Sequence, residues 1–392
     1  MFHDQAIPRC NRKAFEIVLA NENSNIVLEA NNYKEGHSLK SIAVFNNKGG
    51  VGKTTLLCNL AADLSISAGK NVLVVDCDPQ CNTTQLVMGE EFSNEFYWGA
   101  HNEDATTIAD LLQPIQDGDA NILHDFKPIS RERNRFGIDL ITGHPSLSFL
   151  EDKLSQSWGE VSAGELGGYR KTNWPRMLSK NFLKPYDIVL FDVGPSLGAL
   201  NRSVLLGCDY FITPMGTDIF SILGLRNISK WLTDAIDTYE HGTAQCAKKN
   251  PGGFEKYSIP QTPSIRSGFV GYTLNQYLTK SKAGERIATD RYEEILKKVP
   301  AEINDLCHNF GRPGLSNDQT KLGDVPHLYS LIPLAQTRAA PIFSLASKDG
   351  IVGSQYKMVE NYRKIVGKIS ERFLENIQSA GNSPVGEPGG AI

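Results

Sequence analysis

Residues 48–55 read Lys48-Gly49-Gly50-Val51-Gly52-Lys53-Thr54-Thr55. Before them lies a short apolar run, Ser41-Ile42-Ala43-Val44-Phe45. After them Leu57, Leu60, Ala61, Leu64 and Ala68 recur at helical spacing. Strand, glycine-rich turn and helix in that order admit few folds. The glycines let the backbone curl so that its N–H groups point inward, and the new helix adds its positive end. Such a concavity suits phosphate. In this pattern Lys53 supplies a point charge for the β- and γ-phosphates, and the Thr54 hydroxyl can ligate Mg²⁺. Lys48 adds a cation at the front of the loop, where the ordinary pattern requires none.

From Ser41 onward apolar strands alternate with helical spacing. Asn71–Asp76, Gly137–Ile141, Tyr186–Asp192, Asp209–Pro214, Gly268–Leu274 and His327–Ile332 read as strands. Ile219–Leu232 reads as a helix, as does the segment in which Tyr356, Val359, Tyr362, Val366, Ile369 and Phe373 form one apolar face. The pattern predicts an α/β fold: a single doubly wound, mainly parallel sheet flanked by helices, with several long insertions. The expected organisation is an extension over 1–38, the nucleotide-binding domain over 39–378 and a flexible Gly/Pro-rich tail over 379–392. Residues 89–136, 156–176, 240–266 and 308–326 depart from the alternation. Stretches of that length in a compact domain are usually functional or disordered.

The 392 residues carry a formal net charge of −4, so binding to nucleic acid or anionic lipid needs a local basic patch. No apolar run approaches the roughly 18–20 residues of a membrane span, and Met-Phe-His-Asp-Gln does not read as a signal peptide. The seven cysteines are scattered, as suits buried thiols in a reducing cytoplasm. Cys77 and Cys81 lack a second cysteine or histidine pair at metal-ligand spacing.

Holding Mg²⁺ and positioning water require carboxylates at strand ends facing the phosphate loop. Asp76-Cys77-Asp78-Pro79-Gln80 follows one strand, and Asp192-Val193-Gly194-Pro195-Ser196 ends another.

Together these segments resemble the deviant Walker A ATPases of the ParA/MinD family. The resemblance covers most of residues 40–376 and fails in the extension and the insertions. It implies a P-loop ATPase that binds ATP with Mg²⁺ and hydrolyses it slowly, active as a homodimer with two ATP molecules between the subunits. By that resemblance Lys48 reaches the phosphates of the nucleotide in the partner subunit, and Gly49, Gly50, Val51, Gly52, Lys53, Thr54 and Thr55 cradle the protein's own. Asp78 orients or polarises the attacking water, Asp192 binds Mg²⁺ through water, and Asp76 supports the metal shell alongside Thr54. Asn275 and the backbone around Pro333 flank adenine. Val193-Gly194 departs from the family, which commonly has a small residue or cysteine and a second proline there.

The implied role is partition of DNA or positioning of another cargo in the cytoplasm or on the nucleoid, with an activating protein partner. Alternatives are a regulatory module that binds a protein through its insertions and a membrane-cycling regulator. The segment after Gln378 has no basic-apolar stripe, which argues against a membrane anchor. A cluster-carrying relative would need a second cysteine where Gly194-Pro195-Ser196 stands. Non-specific DNA binding has two candidate patches: Arg131, Arg133 and Arg135, and the group Lys280, Lys282, Arg286, Arg291, Lys297 and Lys298. Acidic residues interleave the second group, so a solvated face is the simpler reading there.

Overall fold

The computed structural model describes residues 39–98, 105–182, 185–277, 279–282, 285–288 and 297–378. The expected extension over 1–38, with Cys10, and the expected tail over 379–392 lie outside the described residues. Seven parallel strands form one sheet. In chain order they are β1 (Lys40–Val44), β2 (Val72–Asp76), β3 (Asp139–Ile141), β4 (Ile188–Asp192), β5 (Tyr210–Gly216), β6 (Phe269–Tyr277) and, after a hairpin of β7 (Thr279–Lys282) and β8 (Glu285–Ala288), β9 (Lys321–Pro326). They lie side by side as β3-β2-β4-β1-β5-β6-β9. Strand β1 therefore sits centrally between β4 and β5.

Alternation along the strands builds both faces of the sheet. Ala43, Phe45, Leu73, Val75, Val189 and Phe191 share one core with Trp158, Trp174 and Ile228. Ile42, Val44, Val72, Val74, Ile188 and Leu190 share the other with Leu57, Leu60, Tyr362 and Phe373. Each Val, Leu, Ile or Phe among them contributes about 1.5–3 kcal/mol on burial. This is the predicted doubly wound sheet, covered on both sides by helices.

The helices are α1 (Lys53–Ile66), α2 (Asn82–Met88), α3 (Glu90–Trp98), α4 (Ile108–Asp117), α5 (Leu150–Ser162), α6 (Leu166–Thr172), α7 (Trp174–Lys180), α8 (Ala199–Gly207) and α9 (Ile219–Lys249), followed by α10 (Val299–Phe310), α11 (Leu331–Thr337) and α12 (Gln355–Gln378). The stretches over 89–136 and 156–176 thus hold helices of their own, while 308–326 holds strand β9. Thr107 and Asp110 close a capping box on α4, while Phe92 and Phe96 stack one turn apart on α3 at 5.4 Å. Helix α9 runs for 31 residues, well past the predicted end at Leu232.

Two expectations need correction. The strand expected over His327–Ile332 is a turn leading into α11, and β9 lies earlier, at Lys321–Pro326. Only Leu322 and Val325 of β9 are buried, and a strand at the sheet edge can end in Pro326 without losing a ladder bond. Leu328 and Leu331, both buried, are spaced as in a helical turn. Tyr356, placed on the apolar face of α12, is 48% exposed; that face begins at Val359.

Two of the three arginines read as a basic patch, Arg131 and Arg135, are held by carboxylates of the fold. Arg131 pairs with Asp139 at the start of β3. Arg135 donates to both oxygens of Asp349, at 2.8 and 3.1 Å. Those bonds hold the Asp349 carboxyl down at about 2, against an unfolded value of about 4. The stabilisation is therefore complete above the unfolded value and is lost as pH falls through the folded one. Arg135→Met should lower unfolding free energy by about 1 kcal/mol at neutral pH, the arginine being partly exposed. The difference should shrink as pH falls from about 4 toward about 2. Urea unfolding across that range measures it, and equal midpoints at neutral pH would refute it.

Candidate nucleotide site and its flanking face

Parallel register brings the chemistry together. Val44 and Asp76 both stand opposite Asp192, so the C-terminal ends of β1, β2 and β4 meet beneath the glycine loop. Crevices at that end of a doubly wound sheet are where ligands bind. The loop turns through Gly50 at φ 75° and Gly52 at φ 81°, a backbone that only glycine adopts without strain. Gly52 is the residue from which α1 starts, with no side-chain cap, which leaves the first N–H groups of the helix for an anion.

A cleft of about 380 Å³ opens there. Gly49, Gly50, Gly52, Lys53, Thr54 and Thr55 line it together with Asp78 and Pro195. Leu86, Val325, Leu328, Ile332 and Tyr362 add apolar surface to the lining. Polar lining of that kind suits phosphates, and the apolar side chains suit a flat ring. Lys53 is buried, its Nζ 3.3 Å from the Lys48 carbonyl. Burial lowers its ammonium pKa, against the pull of Asp192 and Asp78.

The three acids are all buried but differently engaged. Asp192 Oδ2 accepts from Thr54 at 2.8 Å and from Thr83 at 2.7 Å. Its Oδ1 is buried and has no protein partner. Burial pushes this carboxyl up to about 6, against the two hydroxyls. Asp76 has no such free oxygen. Its Oδ2 takes the backbone and hydroxyl of Thr84, at 2.9 and 2.7 Å, and its Oδ1 takes the Asp78 N–H at 3.3 Å. Burial, then the charge on Asp192, pushes Asp76 up to about 7. Asp78 faces the cleft; a Cβ at Gly194 would stand 3.4 Å from its carboxylate. A small side chain at this departure from the family pattern would stand in ordinary contact with Asp78.

Among the described residues no group of three or more His, Cys, Asp or Glu could hold a metal ion. Magnesium bound with a nucleotide needs less, because it takes one or two protein groups and completes its shell with phosphate and water. The orphaned Oδ1 of Asp192 and the Thr54 hydroxyl, whose proton goes to Asp192, fit that need.

Lys48 stands apart from the cleft. Its ammonium lies 2.5 Å from Asp218 and 3.3 Å from the Ser221 hydroxyl, at the start of α9. Asp218 caps that helix through the Phe220 and Ser221 N–H groups. Burial pushes its carboxyl up, but the bonds from Lys48 and Ser221 outweigh this and hold it below its usual value. Gly224 of α9 permits the close approach: a Cβ there would meet Asn47 Oδ1 at 2.8 Å. Around this pair Ile219, Leu223 and Phe220 are exposed, the last by 70%. The resemblance to the family marks Thr213–Asp218, directly before this turn, as a dimer-facing segment, but no local pattern singles out the exposed apolar side chains that follow it.

The two residues expected at the base sit differently. Asn275 is in the cleft wall, but its Nδ2 donates to the Val51 carbonyl at 2.8 Å and its Oδ1 accepts from Thr273 at 2.9 Å. It braces the phosphate loop and keeps one amide proton for a ligand. Pro333 is exposed on α11, whose Ile332 and Gln336 line the cleft. Of the expected DNA-facing residues, Arg131 and Arg135 are engaged internally. Arg291 and the side chains of Lys280, Lys282 and Arg286 lie outside the described residues. No described helix is long and apolar enough to cross a membrane.

Sheet order, glycine loop and strand-end acids define a P-loop nucleotide-binding protein. The AAA_31 family model, an AAA domain, matches residues 39–243, and the chain belongs to this family as one of its ParA-like P-loop ATPases. It is 29% identical over 196 residues to the virulence plasmid ParA family protein pGP5-D of Chlamydia muridarum, covering 50% of this chain and 62% of that one. With the chromosome partitioning protein ParA of Caulobacter vibrioides it shares 29% over 193 residues, 49% of this chain and 61% of that one. The matches thus span about three fifths of these relatives. Protein DIP2308 of Corynebacterium diphtheriae superposes with a TM-score of 0.65 at 30% identity, covering 86% of this chain and 98% of that one.

Proposed function

We propose that this protein is an ATP-switched dimerising ATPase that hydrolyses ATP with Mg²⁺ in a partition or positioning system. The observation that carries the reading is the placement of Lys48. A second lysine of the phosphate loop lies outside its own cleft, held by Asp218 next to the exposed Ile219, Phe220 and Leu223. A second copy brought against that apolar face would cover it and offer Lys48 an anion stronger than one carboxylate. Thr54 and Asp192 would hold Mg²⁺, whose charge would offset that building on the phosphates. Asp78 would orient water, and Asn275 with the α11 backbone around Pro333 would border the base.

Sizing chromatography with a slowly hydrolysed ATP analogue and Mg²⁺ tests this. The wild type should elute as a dimer with analogue and as a monomer without it. Lys48→Ala should stay monomeric at the same concentration. Wild-type protein that remains monomeric with saturating nucleotide would sink the reading. Partition work makes non-specific duplex DNA the cargo to test first, by filter binding with and without ATP over a salt series. Each phosphate contact should add about −0.9 to the log–log slope.

A further inference from the structure

We propose that Thr83 is a positioning residue for the magnesium carboxylate, and that it couples the state of that site to the loop bearing Asp78. This rests on the nucleotide reading above. Asp192 Oδ2 holds two hydroxyls, Thr54 at 2.8 Å and Thr83 at 2.7 Å. An ionised carboxylate only accepts, so both threonine protons are directed at Asp192. Thr54 is also the group a cation would draw on. Thr83 is not: it is fully buried, with the Cys58 sulfur 3.7 Å from its oxygen as its other neighbour. Thr83 therefore sets the orientation of Asp192 independently of the cation and leaves Oδ1 as the unpartnered acceptor.

Its place in the chain supplies the coupling. Thr83 lies in the first turn of α2, directly after the Asp78 loop. Its neighbour Thr84 turns to the other strand tip, donating its N–H and hydroxyl to Asp76 and accepting the Gly143 N–H at 2.9 Å. Two adjacent threonines thus fasten one helical turn to the ends of β2 and β4. At its other end the loop is fastened by the Asp78 N–H on Asp76. It closes through Cys81 in the left-handed conformation, φ 55°, which is uncommon for a residue with a side chain. Pinned so closely, the loop has little freedom to absorb a shift of Asp192. A displacement of that carboxylate toward a cation passes through the Thr83 bond to α2 and from there to Asp78.

Thr83→Val removes the hydroxyl at nearly constant volume, and Thr83→Ser restores it. The measurement is a Mg²⁺ titration of each protein carrying a fluorescent ADP analogue. ADP-analogue affinity in EDTA and thermal unfolding are recorded alongside. Thr83→Val should need about 10- to 100-fold more Mg²⁺, the usual cost of losing a group that orients a ligand. Thr83→Ser should titrate near the wild type, and affinity in EDTA should be the same for all three. A purely structural hydroxyl would lower the unfolding temperature and the EDTA affinity together while leaving the Mg²⁺ midpoint unchanged; that result would overturn the proposal. Should Thr83→Val not fold, Thr83→Ala in the same titration decides it. Wild-type protein whose nucleotide binding ignores Mg²⁺ refutes the nucleotide reading itself. That is distinguishable from a Mg²⁺ response that Thr83→Val retains.

Discussion

Asp78→Ala should lower ATP turnover by about 10²–10⁴-fold, the scale of a lost general-base or water-positioning group, while ATP binding stays at or above the wild-type level. The geometry separates the two effects. Asp78 lines the cleft, and its Oδ1 is fixed by the Gln80 N–H at 3.0 Å, so the carboxylate is held in place rather than swinging free. Thr54 and Asp192, which carry the proposed metal contacts, bond each other, and the Asp78 side chain accepts elsewhere, from the Gln80 N–H. Its removal deletes one negative charge near a polyanionic ligand, which relieves repulsion in the bound state. An interaction lost only in the transition state lowers kcat and kcat/KM together and leaves ground-state binding alone. Single-turnover hydrolysis beside equilibrium binding of a fluorescent ATP analogue measures both. A normal hydrolysis rate in Asp78→Ala would remove this residue from the mechanism. A parallel collapse of binding would make its role structural.

How much of this was legible in the sequence depended on distance along the chain. The phosphate loop and the strand-end acids Asp76, Asp78 and Asp192 stand beside the strands that position them, so residue type and local spacing sufficed. The Lys48–Asp218 pair joins residues 170 positions apart, and no local pattern reports a contact of that kind. Thr83 and Thr84 were hidden differently. They read as ordinary residues in the first turn of a short helix, and only parallel register, which sets Asp76 opposite Asp192, gives each a carboxylate to hold. Strand β9 was misplaced because an edge strand buries two side chains only, too few to show a period. The arginines at 131 and 135 looked like a surface patch because their partners, Asp139 and Asp349, belong to other elements.

Lys53→Ala should weaken ATP binding by about 2–5 kcal/mol, or about 30- to several-thousand-fold in Kd, the range for truncating one partner of a buried charged contact. Lys53 is 8% exposed, opens α1, and is the one Lys or Arg among the described residues that line the cleft. Burial lowers its pKa, and Asp192 and Asp78 are the charges that oppose this. Phosphates arriving beside it would add to that opposition, and the lysine would gain a partner it lacks in the free protein, where its Nζ reaches only a backbone carbonyl at 3.3 Å. The loss should follow phosphate number. It should be large for ATP and ADP and small for AMP, which has no β- or γ-phosphate to meet this group. Calorimetric titration of the three nucleotides into wild type and Lys53→Ala checks this, with thermal unfolding as the control because the variant also leaves two buried carboxylates without their nearby cation. Equal losses for AMP and ATP, or a loss explained by unfolding, would show that Lys53 supports the loop and does not hold the phosphates.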